Sequence, residues 1–147
     1  MASGRIVVGV DGSEGSAGAI RWCADYGGRL GFEIVAVHAL ALPVYTEAVP
    51  FASWPTEDKE FRDKMLATVR DEWCAPLREA GVKYDALLVD GSAPWMLTDV
   101  ADREDADMIV VGSRGRGGFG ELLLGSTSHQ LAHHSKRPVV IVPPERT

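Results

Sequence analysis

Val110-Val111-Gly112-Ser113-Arg114-Gly115-Arg116-Gly117-Gly118-Phe119-Gly120-Glu121-Leu122-Leu123-Leu124-Gly125-Ser126-Thr127-Ser128 is the stretch on which the reading of this chain turns. A short β-branched run ends in glycines, and a helix-forming segment then opens with glycine and hydroxyl residues. Glycines let a backbone approach an anion closely, and the free N–H groups and positive dipole end of a helix stabilise its charge. Gly125, Ser126, Thr127 and Ser128 are the expected donors of such a phosphate site.

Two other glycine motifs are excluded by residue type. Gly120 to Thr127 has the glycine spacing of a P-loop, but Ser126 stands where the phosphate-binding lysine is required. A dinucleotide fingerprint would follow the first strand, and Gly9-Val10-Asp11-Gly12-Ser13 lacks its three-glycine spacing. A hydride-transferring Rossmann enzyme is therefore not expected.

Working outward, five apolar or β-branched runs read as buried strands: Arg5 to Val10, Glu33 to Leu40, Tyr84 to Val89, Met108 to Val111 and Val139 to Val142. Segments of helical periodicity separate them. The alternation predicts a single α/β domain with a mainly parallel sheet and helices on both faces.

The first helix is expected to start at Ser13, to turn Ile20, Cys23, Ala24, Gly27 and Leu30 inward, and to stop at Gly31. The second begins near Thr56, with Glu57 and Asp58 in its first turn. Its core face is Phe61, Met65, Leu66, Val69, Trp73 and Leu77, with a kink at Pro76 and a stop at Gly81. The third opens at Ser92 with Pro94 in its first turn and turns Met96, Leu97, Val100 and Ala101 inward; the fourth runs from about Gly125 to Ser135. No internal repeat is visible.

At 147 residues the chain is long enough to bury about two-thirds of its unfolded surface in one core. Its 46% apolar and 24% charged composition is that of a globular protein. The net charge of −6, from 15 basic and 21 acidic residues spread along the chain, offers no broad footprint for nucleic acid or an anionic membrane. No run approaches the ~18 apolar residues of a membrane span, and Arg5 leads into a strand and not into a secretory leader. A cytoplasmic protein is expected. Cys23 and Cys74 both fall in segments read as helical, which favours two free thiols over a disulfide and suggests no metal site.

Several segments keep two readings. Ala41 to Pro55 is a long Pro-rich connection bearing Tyr45, Phe51 and Trp54, either a lid over a ligand or a cover for the sheet's edge. Arg114 and Arg116 either offset phosphate charge or are solvated loop residues, with contact favoured for Arg114. His129 and His133 have the i, i+4 spacing of a metal pair, but no third ligand is assigned and ordinary helix histidines are the favoured reading.

Gly112-Ser113-Arg114-Gly115, nine residues, then Gly125-Ser126 reproduce the pattern G-x-x-G-x9-G-[ST], and here the chain resembles the universal stress protein family. The resemblance extends through Ile6-Val-Val-Gly-Val-Asp-Gly-Ser13, Val37-His38, Gly91-Ser-Ala-Pro94 and Arg137-Pro138-Val139-Val-Ile-Val142. It implies a Rossmann-like five-stranded sheet of order 3-2-1-4-5, whose reversal between the first and fourth strands marks the ligand crevice.

It also implies roles. Asp11 would sit at the adenosine end, the Ala39 backbone at the adenine, and Val111 and Gly112 along adenine and ribose. Gly9 lies at the adenine where some relatives carry proline. Gly115, Gly125, Ser126, Thr127 and Ser128 would cradle the phosphates, with Arg114 beside them. The implied ligand is ATP, with any Mg²⁺ entering through its phosphates, and the implied function is a nucleotide-responsive regulatory module in the stress response. The alternatives are a slow ATPase using the same site, since phosphoryl transfer needs a metal clamp and positioned nucleophile of which only fragments are visible, and a structural dimer that binds no nucleotide. The resemblance and the charge-free run Val139 to Val142, placed at a sheet edge, together imply a homodimer paired through the last strand.

Overall fold

The computed structural model describes residues 4–41, 58–114 and 124–144. The five apolar runs form β1 (Arg5–Gly9), β2 (Glu33–Leu40), β3 (Tyr84–Asp90), β4 (Met108–Gly112) and β5 (Val139–Val142). All four pairings are parallel, in the order β3-β2-β1-β4-β5. In register, Val7 lies between Val35 and Ile109, and Val111 faces Ile141. This is the implied doubly wound sheet, with edges at β3 and β5.

Because side chains alternate across a strand, a sheet covered on both faces buries consecutive residues. Val7 and Val8 are both fully buried, and they belong to different cores. Ile6, Val8, Ile34 and Ala36 meet Ile20 and Cys23 on one face. Val7, Val35, Ile109 and Val111 meet Leu97, Val100 and Leu131 on the other.

Helix α1 (Glu14–Leu30) is capped by Ser13, whose Oγ accepts the Ser16 N–H, and ends at Gly31 in the left-handed conformation at φ 73°. Its buried stripe is Ser16, Ala19, Ile20, Cys23 and Gly27. Leu30, expected on that stripe, is 63% exposed, and Ala24 is only partly buried. Gly27 lies against Ile34 and Val82 near the end of the helix, and Gly28 faces Val82 as well.

The expected second helix is three pieces: α2 (Lys59–Ala67), a π-helical segment Thr68–Trp73, and α3 (Ala75–Glu79). Asp58 is the cap of α2 and not part of its first turn, its Oδ1 accepting the Glu60 and Phe61 N–H groups. Phe61, Met65 and Leu66 are only partly buried. In the π-helical segment the Cys74 N–H reaches back to the Val69 carbonyl, a five-residue step. The wider turn places Cys74 with Val69 and Leu77 in the core and leaves Trp73 half-buried, against the expected 3.6-residue spacing. Pro76 therefore kinks nothing: it stands in the first turn of α3, where its missing N–H costs no helix bond.

Helix α4 (Ala93–Arg103) follows Ser92 and buries Leu97, Val100 and Ala101, with Met96 partly covered. Helix α5 (Ser126–His134) follows Gly125. Both cysteines are buried and unpaired. Burial pushes the Cys23 thiol far up, with Cys74 adding to the effect, and pushes the Cys74 thiol up to about 11. Among the described residues no helix is long and apolar enough to cross a membrane. The aromatic segment 42–55 lies outside the described residues.

Candidate functional site

β1 and β4 are adjacent in the sheet, but their chains leave it toward helices on opposite faces, so a crevice opens beyond their carboxyl ends. It encloses about 230 Å³. The β1 end contributes Gly9, Val10, Asp11, Ser13 and Ser16; the β2 end contributes Val37, His38 and Ala39. Ala93 and Leu97 of α4 form one wall, and Val111, Gly112, Arg114, Ser126, Thr127 and Ser128 close the other side.

On the β1 side a short hydrogen-bonded turn fixes Asp11. Its Oδ1 accepts the Ser13 N–H at 2.9 Å, and its own N–H donates to Ser16 Oγ at 3.3 Å. On the β4 side the Ser113 N–H extends the ladder to the Val142 carbonyl, and the Ser113 carbonyl accepts from the Gly125 N–H and the Ser128 hydroxyl. That carbonyl draws the start of α5 over the end of β4.

The two sides touch through glycines. A side chain on Gly15 would collide with the Arg114 carbonyl, and one on Gly112 with the Gly15 carbonyl. Only two backbones without Cβ atoms bring the first turn of α1 against the β4 end.

The α5 N-terminus borders the crevice. Its first internal bond runs from the His129 N–H to the Gly125 carbonyl, and among the described residues no side chain caps it. The N–H groups of Ser126, Thr127 and Ser128 therefore have no acceptor within the helix. Beside them, Arg114 Nε is buried with no hydrogen-bond partner among the described residues. Positive potential thus gathers at the α5 side, the Asp11 carboxylate stands at the β1 side, and apolar Val37, Leu97 and Val111 lie between.

Of the candidates from sequence, Gly9, Asp11, Ala39, Val111, Gly112, Arg114, Ser126, Thr127 and Ser128 line this one crevice. Gly125 is not among its lining residues, and its N–H, expected to face a phosphate, is spent on Ser113. The Ser128 hydroxyl is likewise turned inward. Gly115 and Arg116 lie outside the described residues. Ser16, Ala93 and Leu97 were not singled out for the site: nothing local marks them, because only the packing of α1 and α4 brings them there. The His129 and His133 rings lie with centroids 4.6 Å apart and planes tilted by 59°, and no metal-ligating group of three or more stands among the described residues.

Fold and crevice define an open parallel α/β protein with a ligand-sized cleft at its topological switch point. Residues 3–143 match the Universal stress protein family, and the chain belongs to it. The universal stress protein Rv2623 of Mycobacterium tuberculosis is 32% identical over 138 residues, 92% of this chain but 44% of that protein, so the chain spans less than half the length of such mycobacterial relatives. Among solved structures, UspA from Lactobacillus plantarum superposes with a TM-score of 0.77 at 18% identity, covering 97% of this chain and 99% of that one. A universal stress protein solved in complex with cAMP superposes with a TM-score of 0.71 at 25% identity, covering 99% of this chain and 100% of that one.

Proposed function

We propose that this chain binds an adenine nucleotide, ATP in particular, and acts as a nucleotide-responsive regulatory module of the stress response. The observation that carries the reading is the N-terminus of α5 beside Arg114 Nε, both at the crevice and, among the described residues, without a side-chain cap or a hydrogen-bond partner. A buried donor such as Arg114 Nε is costly to leave without an acceptor, and an anion at the helix end satisfies it together with the α5 N–H groups. Triphosphate oxygens fit that side, Asp11 suits the ribose hydroxyls, and adenine fits between Val37, Ala39 and Val111. The cAMP complex of a relative supports the same class of ligand. Oxygen donors at Asp11 and Ser126 suit a hard cation such as Mg²⁺ carried in on the phosphates.

We read the site as one of binding more than of rapid turnover, because Ser126 stands where a P-loop has its phosphate-binding lysine. A slow ATPase would use the same contacts. In the cytoplasm, the compartment of this reading, two buried unpaired thiols stay reduced.

The test is release of ligand by denaturing purified protein, followed by calorimetry with ATP, AMP and cAMP. Copurifying adenine nucleotide, or ATP binding that is lost when Gly115 is made bulky, is the expected result. Protein that carries none and gives no heat with any of the three overturns the reading.

The reading includes a homodimer through β5. This strand is a sheet edge of four partly buried β-branched residues, an invitation to pair with a second copy. Light scattering across a dilution series should find a dimer that Val140→Lys and Ile141→Lys dissociate; a wild-type monomer at tens of micromolar (~10–50 µM) rejects the interface.

A further inference from the structure

We infer that His38 is a positioning residue for the crevice: from behind it, the imidazole clamps the Val10–Asp11 peptide and so sets how Asp11 is presented. The effect on affinity rests on the nucleotide reading above; the clamp itself does not.

His38 has the same parity in β2 as Ile34 and Ala36, whose side chains pack with α1, so its ring lies in that layer while the residue borders the crevice. There it meets Trp73 edge-on, with ring centroids 5.1 Å apart and planes at 88°. Its Nδ1 stands 2.7 Å from the Val10 carbonyl oxygen. A carbonyl only accepts, so Nδ1 carries the proton and donates.

The same peptide is held at its other polar atom. The Asp11 N–H donates to Ser16 Oγ, and that hydroxyl donates onward to the Ser13 carbonyl. Ser16 is itself buried. β1 ends at Gly9, and the Val10 N–H makes a last bond to the Val37 carbonyl. Beyond it the course of the chain is fixed by side chains, His38 from β2 and Ser16 from α1. Ala39, the expected adenine contact, directly follows His38, so one residue ties the two walls between which adenosine would sit.

His38→Leu and His38→Asn separate the clamp from bulk, because an asparagine amide presents an N–H near the place of Nδ1 and leucine presents none. ATP calorimetry should show affinity about tenfold weaker for leucine and within about threefold of wild type for asparagine, the scale of one net hydrogen bond. In ligand-free protein, ¹⁵N NMR should find His38 protonated at Nδ1, and the Asp11 amide signal should move in the leucine variant and return in the asparagine one. If His38→Leu does not fold by urea unfolding, Ser16→Ala removes the other arm and carries the affinity test. A proton on Nε2 alone, an unmoved Asp11 amide, or wild-type ATP affinity in the clamp-removing variant overturns the inference. Wild type that binds no ATP, with tautomer and Asp11 amide behaving as expected, leaves the clamp standing and removes the nucleotide reading.

Discussion

At the amino ends of the strands, charged groups answer one another. Arg5 of β1 reaches Glu104 at 2.8 Å and Glu33 at 3.3 Å, while its N–H meets Asp107 at 2.7 Å; Lys83 holds the second oxygen of Glu33 at 3.2 Å. Arg137, before β5, is bonded to Asp102 and to the Ala106 carbonyl. At the carboxyl ends, among the described residues, no side chain caps α5 and Arg114 Nε has no hydrogen-bond partner. The contrast is local to the β4 end, because at the carboxyl end of β3 Asp90 is paired with Arg62 at 2.7 Å. Spent groups brace strand ends. A buried donor left unpaired lowers stability unless something completes it, and the proposed nucleotide is what would complete Arg114 Nε.

The largest expected effect lies where the crevice walls touch. Gly112→Val drives a side chain into the Gly15 carbonyl, and overpacking of this kind should cost about 2–3 kcal/mol in urea unfolding and abolish ATP binding. A fully stable variant that still binds would show that the close approach of α1 and β4 is not what shapes the crevice.

Next, Arg114→Met should weaken ATP by roughly 10- to 100-fold, the scale of a hydrogen bond to a charged group, with unfolding free energy unchanged or raised. Calorimetry and urea unfolding on one preparation check both halves. Loss of stability without loss of affinity would make Arg114 a brace after all.

At the other end the pattern should reverse. Arg5→Met should lower stability by no more than about 1 kcal/mol, since its ion pairs are part-exposed, and leave ATP affinity unchanged. A change in affinity would couple the two ends.

The smallest effect concerns acid. The hydrogen bond and charge of Lys83, with Arg5 adding to them, hold the Glu33 carboxyl below its ordinary value. A depressed carboxylate contributes stability in full above its unfolded pKa, about 4.3, and loses it as pH falls through the lower folded value. Lys83→Met should therefore match wild type more closely in strong acid than at neutral pH. An identical pH profile for the two proteins would show that the exposed pair contributes nothing.

Much of this was legible beforehand. The five strands were placed within a residue at either end, because buried parallel strands demand unbroken apolar runs. Ser13, Gly31 and Ser92 marked helix ends through local backbone chemistry. The second helix was not legible: the π-helical segment Thr68–Trp73 exchanges Trp73 for Cys74 in the core, and a periodicity argument assumes constant pitch. Leu30 failed for a related reason, since a pattern does not say where the neighbouring element stops.

For the site, the sequence alone determined the chemistry: a glycine and hydroxyl pattern that suits an anion, a carboxylate after the first strand, and no P-loop lysine. These are properties of residue type and short spacing. Only the tertiary structure decided which donors remain available. The Gly125 N–H and the Ser128 hydroxyl turn back to Ser113, the Ser126 hydroxyl accepts from Gln130, and His38 and Ser16 hold the Asp11 peptide from two elements. A hydrogen bond between residues distant along the chain depends on where packing brings them, and no local pattern records it.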